Sequence, residues 1–116
     1  MLLCLAHIAD AELVMAGRYR WVLAHDRPEL IGYDQDLWVD NLHADDEDPE
    51  ALLAQYALLR AGNVALWRSS SAAQRARVAV HGERGEESFE LMFRMLAGHD
   101  RVHLAQARRA LDAVRG

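Results

Sequence analysis

Phe89-Glu90-Leu91-Met92-Phe93-Arg94-Met95-Leu96-Ala97-Gly98-His99-Asp100-Arg101-Val102-His103-Leu104-Ala105-Gln106 decides the architecture of this chain. Phe89, Met92, Leu96, His99, His103, Ala107 and Leu111 recur three and four residues apart, which lays them along one side of an α-helix. Ser88 offers an N-cap oxygen and Glu90 an acid in the first turn, so the spacing predicts a helix from Ser88 to about Val114.

Upstream, Asp48-Pro49-Glu50 is another helix start, with an acceptor at the N-cap, proline at the first position and an acid behind it. The helix it opens puts Leu52, Tyr56, Leu59, Asn63 and Leu66 on one face and ends around Ser69-Ser70-Ser71. A third helix runs from about Leu2 to Ala24, with Leu3, His7, Asp10, Val14, Gly17 and Trp21 sharing a face, and stops before Pro28. Residues 26–48 form a long polar connection. Tyr33 and Trp38 within it should pack back on the body, and the acidic cluster Asp45 to Asp48 should be solvated. One helical turn at Ala72 to Arg77 and extended Val78-Ala79-Val80 lead to a turn at His81-Gly82-Glu83-Arg84-Gly85. The expected class is all-α, with three substantial helices and one decorated loop.

The 116 residues, 52% hydrophobic, fit a single domain spanning 1–116. A net charge of -5 argues against a nucleic-acid partner, and all 13 basic residues are arginine. The lone Cys4 excludes an internal disulfide framework and a cysteine-rich zinc site. The opening apolar run through Ala6 is too short for a membrane span and lacks the basic flank of a signal peptide, so a cytoplasmic protein is expected.

Chemistry concentrates in three histidines on inward helical faces. His99 and His103 are one turn apart and can share one ion, and His7 can close the site if the first and last helices are neighbours. Three neutral imidazoles suit zinc, nickel or iron and leave a coordination position open to water or substrate. Spacing alone also fits three hydrogen-bonded core histidines. Asp10 could orient His7 or a neighbouring ligand, Asn63 interrupts an apolar stripe and could face a pocket, and His81 could line a pocket mouth. His25 and His43 read as surface residues, and Cys4 as a small core thiol.

His7-Ile8-Ala9-Asp10-Ala11-Glu12, His81-Gly82-Glu83-Arg84-Gly85 and His99-Asp100-Arg101-Val102-His103-Leu104-Ala105-Gln106 resemble, in that order, the DinB-like (YfiT-like) superfamily of metal-dependent enzymes. The resemblance implies a four-helix bundle whose metal is held by one histidine of the second helix and two of the fourth, here His7, His99 and His103. It implies activities such as thiol S-transfer and isomerisation with bacillithiol or mycothiol, or hydrolysis, acting on a small molecule. A non-catalytic metal-binding or interaction protein on the same bundle is the alternative. The family's first helix, a few tens of residues before the His7 motif, has no counterpart in this sequence. The expectation is therefore an apolar groove, met by the 26–48 connection, by partial disorder or, as expected here, by a second copy in a homodimer.

Overall fold

The computed structural model describes the backbone of residues 2–115 and the side chains of residues 4–101, 105, 108 and 109. Three long helices carry the architecture: α1 (Leu2–Ala24), α3 (Pro49–Ser69) and α5 (Phe89–Arg115). Between them lie β1 (Glu29–Leu30), α2 (Gln35–Leu42), α4 (Ala72–Arg75), β2 (Val78–His81) and β3 (Gly85–Ser88). Among the described residues, no helix is long and apolar enough to cross a membrane.

The helix boundaries follow local chemistry. Asp48 caps α3 by accepting from the Glu50 amide, with Pro49 just inside, and the Ser88 hydroxyl accepts from the Leu91 amide at the start of α5. At the far end of α1, the Arg77 guanidinium donates to the Val22 and His25 carbonyls at 2.9 and 2.8 Å, satisfying acceptors the helix leaves open. Arg75 does the same for α3 at Trp67 O (2.9 Å) and lies over the Trp67 ring.

α1 is the central rod and packs against both α3 and α5. Its small buried residues, Ala6, Ala9, Ala11 and Ala16, let neighbours approach from several sides. One apolar cluster joins α1 to α3 through Leu5, Ile8 and Leu52; the other gathers Tyr19, Val22, Leu30, Phe89, Met92 and Leu96 where α1 meets α5 and the strands. Trp67 stacks on Phe93 at 4.6 Å beside the second cluster. Among the described residues the expected inward faces of α3 and α5 hold, with Leu52, Asn63, Phe89, Met92 and Leu96 buried, while the side chains of His103, Ala107 and Leu111 lie outside the described residues. The face assigned to α1 holds only in part, because Trp21 is 55% exposed. A rod buried on several sides has no single apolar stripe to read.

The all-α expectation also needs correction, because a three-stranded sheet is present, ordered β1-β2-β3. β2 and β3 pair antiparallel from Val78↔Ser88 to His81↔Gly85, and Gly85, with φ +78, takes the left-handed turn position. β1 pairs parallel to β2 in register Glu29↔Val80, assisted by Val80 N donating to Pro28 O at 2.9 Å. The sheet thus anchors the beginning of the 26–48 connection.

Candidate metal centre

His7 and His99 meet where α1 and α5 face each other. Their Nε2 atoms are 2.7 Å apart and their rings are near perpendicular, with centroids at 4.7 Å. On the other side of its ring, His99 Nδ1 lies 3.2 Å from Asp100 Oδ1. An ionised carboxylate only accepts, so Nδ1 carries the proton and Nε2 presents its lone pair toward His7.

Asp100 is buried and held from α3. Tyr56 donates its hydroxyl to Oδ2 at 3.2 Å, and Arg60 reaches the same oxygen at 3.4 Å. Burial and the adjacent Asp100 push the Tyr56 phenol up to about 12, so it remains a donor at physiological pH. Arg60 also reaches Glu12 at 3.4 Å, Asn63 donates to Glu12 at 2.7 Å, and Arg20 donates to Asn63 at 2.9 Å. A polar ladder therefore runs inside the bundle from the histidine pair to the middle of α1. Glu12 is fully buried, and desolvation, with Asp100 adding repulsion, raises its carboxyl to about 7 despite Asn63 and Arg60.

The remaining residues singled out in the sequence lie elsewhere. Asp10 is buried and accepts from His43 Nε2 at 2.8 Å, while His43 Nδ1 meets Glu47 at 2.6 Å. His43 is therefore not the surface residue the sequence suggests: its side chain is 10% exposed, because Asp10 draws it onto α1. Asn63 is buried in the ladder. His81, buried at the end of β2, accepts the Glu83 and Arg84 amides on Nδ1 and lines a cleft with Arg18 and Tyr33. Cys4 borders the cluster around Leu52, and burial raises its thiol pKa. The His103 side chain lies outside the described residues.

The donor chemistry of the pair fits a transition metal. Two imidazole nitrogens bound at about 2.0–2.1 Å to one tetrahedral ion stand roughly 3.4 Å apart, so 2.7 Å needs a small outward movement. Among the described residues, no group of three His, Cys, Asp or Glu side chains surrounds one point. Glu12, Arg60 and Asp100 were not singled out from the sequence. They lie off the faces that the periodicity selects, and a charge there acquires meaning only from the neighbouring helix.

Long helices gathered around α1, with imidazoles from the first and last turned toward each other, define a histidine-bearing helical bundle. The chain belongs to the DinB superfamily, whose family model matches residues 2–107. Its fold is similar to that of YfiT from Bacillus subtilis, described as "a probable metal-dependent hydrolase with an unusual four-helix bundle topology". The TM-score is 0.79 at 22% identity, covering 95% of this chain and 65% of that one. The chain thus spans 65% of the length of that relative. No curated protein matches it.

Proposed function

We propose that the chain is a divalent-metal-dependent enzyme acting on a small molecule, with His7, His99 and His103 as ligands and one position open to water or substrate. The observation that carries this reading is the convergence of His7 and His99 from different helices at 2.7 Å. His103 follows His99 by one turn of α5, a spacing that suits a shared ion.

The proposed metal is zinc or nickel, with iron also suited, and when bound it supplies the acidity that turns water or a low-molecular-weight thiol into a nucleophile near neutral pH. Hydrolysis and thiol transfer are the two reaction types in view. The protein's own part is positional. Asp100 fixes the tautomer and aim of His99, while Tyr56 and Arg60 fix Asp100 from α3. The reduced cytoplasm is the setting such thiol chemistry requires.

The same 2.7 Å contact favours a second reading, in which His7 donates Nε2–H to His99 and the bundle is a non-catalytic binding protein. Metal analysis of protein purified without a histidine tag separates the two. The enzyme reading expects about one ion per chain, lost in His99→Ala and His103→Ala. It also expects the cobalt spectrum to change when a thiol enters the open position. Metal-free protein that gains no thermal stability from zinc or nickel would remove the metal and leave the second reading; a site worth having should add about 2.7 kcal/mol at a hundredfold excess over Kd.

A further inference from the structure

Arg18, on α1, is 8% exposed, yet among the described residues it forms no ion pair with a carboxylate. One terminal nitrogen donates to Ile31 O at 2.7 Å, the other touches Met15 Sδ at 3.8 Å, and the buried Nε has no hydrogen-bond partner among the described residues. Burial and the neighbouring Arg84 work against its charge, and the longer-range attraction of Glu87 and Tyr33 offsets them only in part. A buried guanidinium without a counter-ion is costly unless something supplies the negative charge.

Arg18 stands in the wall between two cavities. One, of about 470 Å³, is polar and includes His81 and Arg84; the other, of about 790 Å³, is apolar and includes Trp21, Leu30, Ile31 and Trp38. Tyr33 and Asp34 belong to both linings. The neighbouring charges are already engaged: Arg84 pairs with buried Glu87, and Asp34 Oδ1 caps α2 by accepting the Asp36 and Leu37 amides. His81 accepts two amides on Nδ1, which leaves Nε2–H as a donor. Arg18 is thus the one cation of this lining that, among the described residues, has no carboxylate within ion-pair distance, beside an apolar chamber of ligand size.

We infer that this double cleft binds an amphipathic monocarboxylate, its carboxylate neutralising Arg18 from the polar chamber and its apolar body lying along Trp21 and Ile31. Asp34 and Glu83 line the same chamber and repel any anion, a phosphate dianion about twice as strongly as a monocarboxylate, so the single charge suits the place better. A second copy of this chain, the occupant expected from sequence, could cover the exposed Trp21, Ile31 and Leu37, but an apolar helix face would leave Arg18 unpaired. Arg18 is eleven residues beyond His7 on α1, about 16 Å along the axis, so the inference does not rest on the metal reading.

The probe is decanoate, titrated into the full chain by calorimetry with tryptophan fluorescence as a second signal, against 1-decanol and decyl phosphate. Decanoate should saturate at one per chain and bind about 30-fold or more tightly than decanol. Arg18→Gln should erase that preference. Leu37→Asp, at an exposed position on the wall of the apolar chamber, should weaken decanoate even if Arg18→Gln fails to fold. His99→Ala should bind decanoate normally. Equal affinity for decanol, tighter binding of decyl phosphate, indifference to Leu37→Asp, or loss of binding in His99→Ala would each overturn the inference. A stable dimer that Leu37→Asp dissociates, with no decanoate bound in either state, would overturn it in favour of a second copy.

Discussion

His43 Nε2 lies 2.8 Å from Asp10 Oδ2, a contact that joins the 26–48 connection to the middle of α1. The other ring nitrogen meets Glu47 at 2.6 Å, so the imidazolium donates to a carboxylate on each side. Burial acts against the charge, but the bonds to Asp10 and Glu47 outweigh it and raise the His43 pKa above its ordinary 6.5. A raised pKa means that folding favours the protonated ring. The clamp's stabilisation is complete below about pH 6.5 and is lost as pH rises through the elevated folded value. His43→Gln should cost about 1–3 kcal/mol at pH 6 and much less at pH 9. Thermal melts across that range test it, and an equal loss at both pH values would deny the imidazolium its role.

Glu12 gives a different pH signature. Its carboxyl rises from 4.5 to about 7 because it is desolvated, so folding disfavours its ionisation. Stability therefore falls as pH rises from about 4.5 to 7, and the full penalty is present above that window. Glu12→Gln keeps an oxygen for Asn63 but cannot ionise. The variant should equal or exceed the parent in melting temperature at pH 8 and lose the advantage at pH 5. A variant less stable at pH 8 than at pH 5, relative to the parent, would contradict the desolvation account.

Asp100→Asn tests the aim of His99. The amide can still accept from Nδ1, but without the charge that strengthens the imidazole as a donor. Metal affinity should fall by about 10–100-fold while the helical circular dichroism is retained. Unchanged cobalt affinity would show that Asp100 serves the bundle and not the histidine.

Arg77→Ala removes the side chain that closes the end of α1. Two charge-assisted bonds to Val22 O and His25 O disappear, and the expected cost is about 1.5–3 kcal/mol. For a domain of this length that is a fall of several degrees in Tm. A melting temperature within a degree of the parent would mean that water replaces the guanidinium at little cost.

The three long helices were legible because their signals are local: period on the inward faces of α3 and α5, Asp48-Pro49 at one start and Ser88 at another. Strand β1 was not legible. Glu29 and Leu30 sit in a polar stretch and become a strand only by pairing with Val80 and His81, about fifty residues on. His43 was misread for the same reason, since its burial depends on a carboxylate thirty-three positions away. At the candidate site, His7 and His99 could be proposed from helical spacing and a guess at neighbouring helices. The Asp100, Arg60 and Glu12 ladder could not, because charged residues at those positions read equally well as solvated.

That ladder bears on how the rods are set against one another lengthwise. Four buried alanines of α1 offer little shape to hold α3 or α5 at one height, which leaves axial setting to the larger apolar side chains and to the polar groups. Displacing α3 by 5.4 Å would break the bonds of Asn63, Arg60 and Tyr56 together and take from buried Glu12 and Asp100 the partners that α3 supplies, and displacing α5 would break those of Tyr56 and Arg60 to Asp100. The interior polar groups thus act as a detent, allowing one axial setting of the bundle, and it is in that setting that His7 and His99 lie side by side.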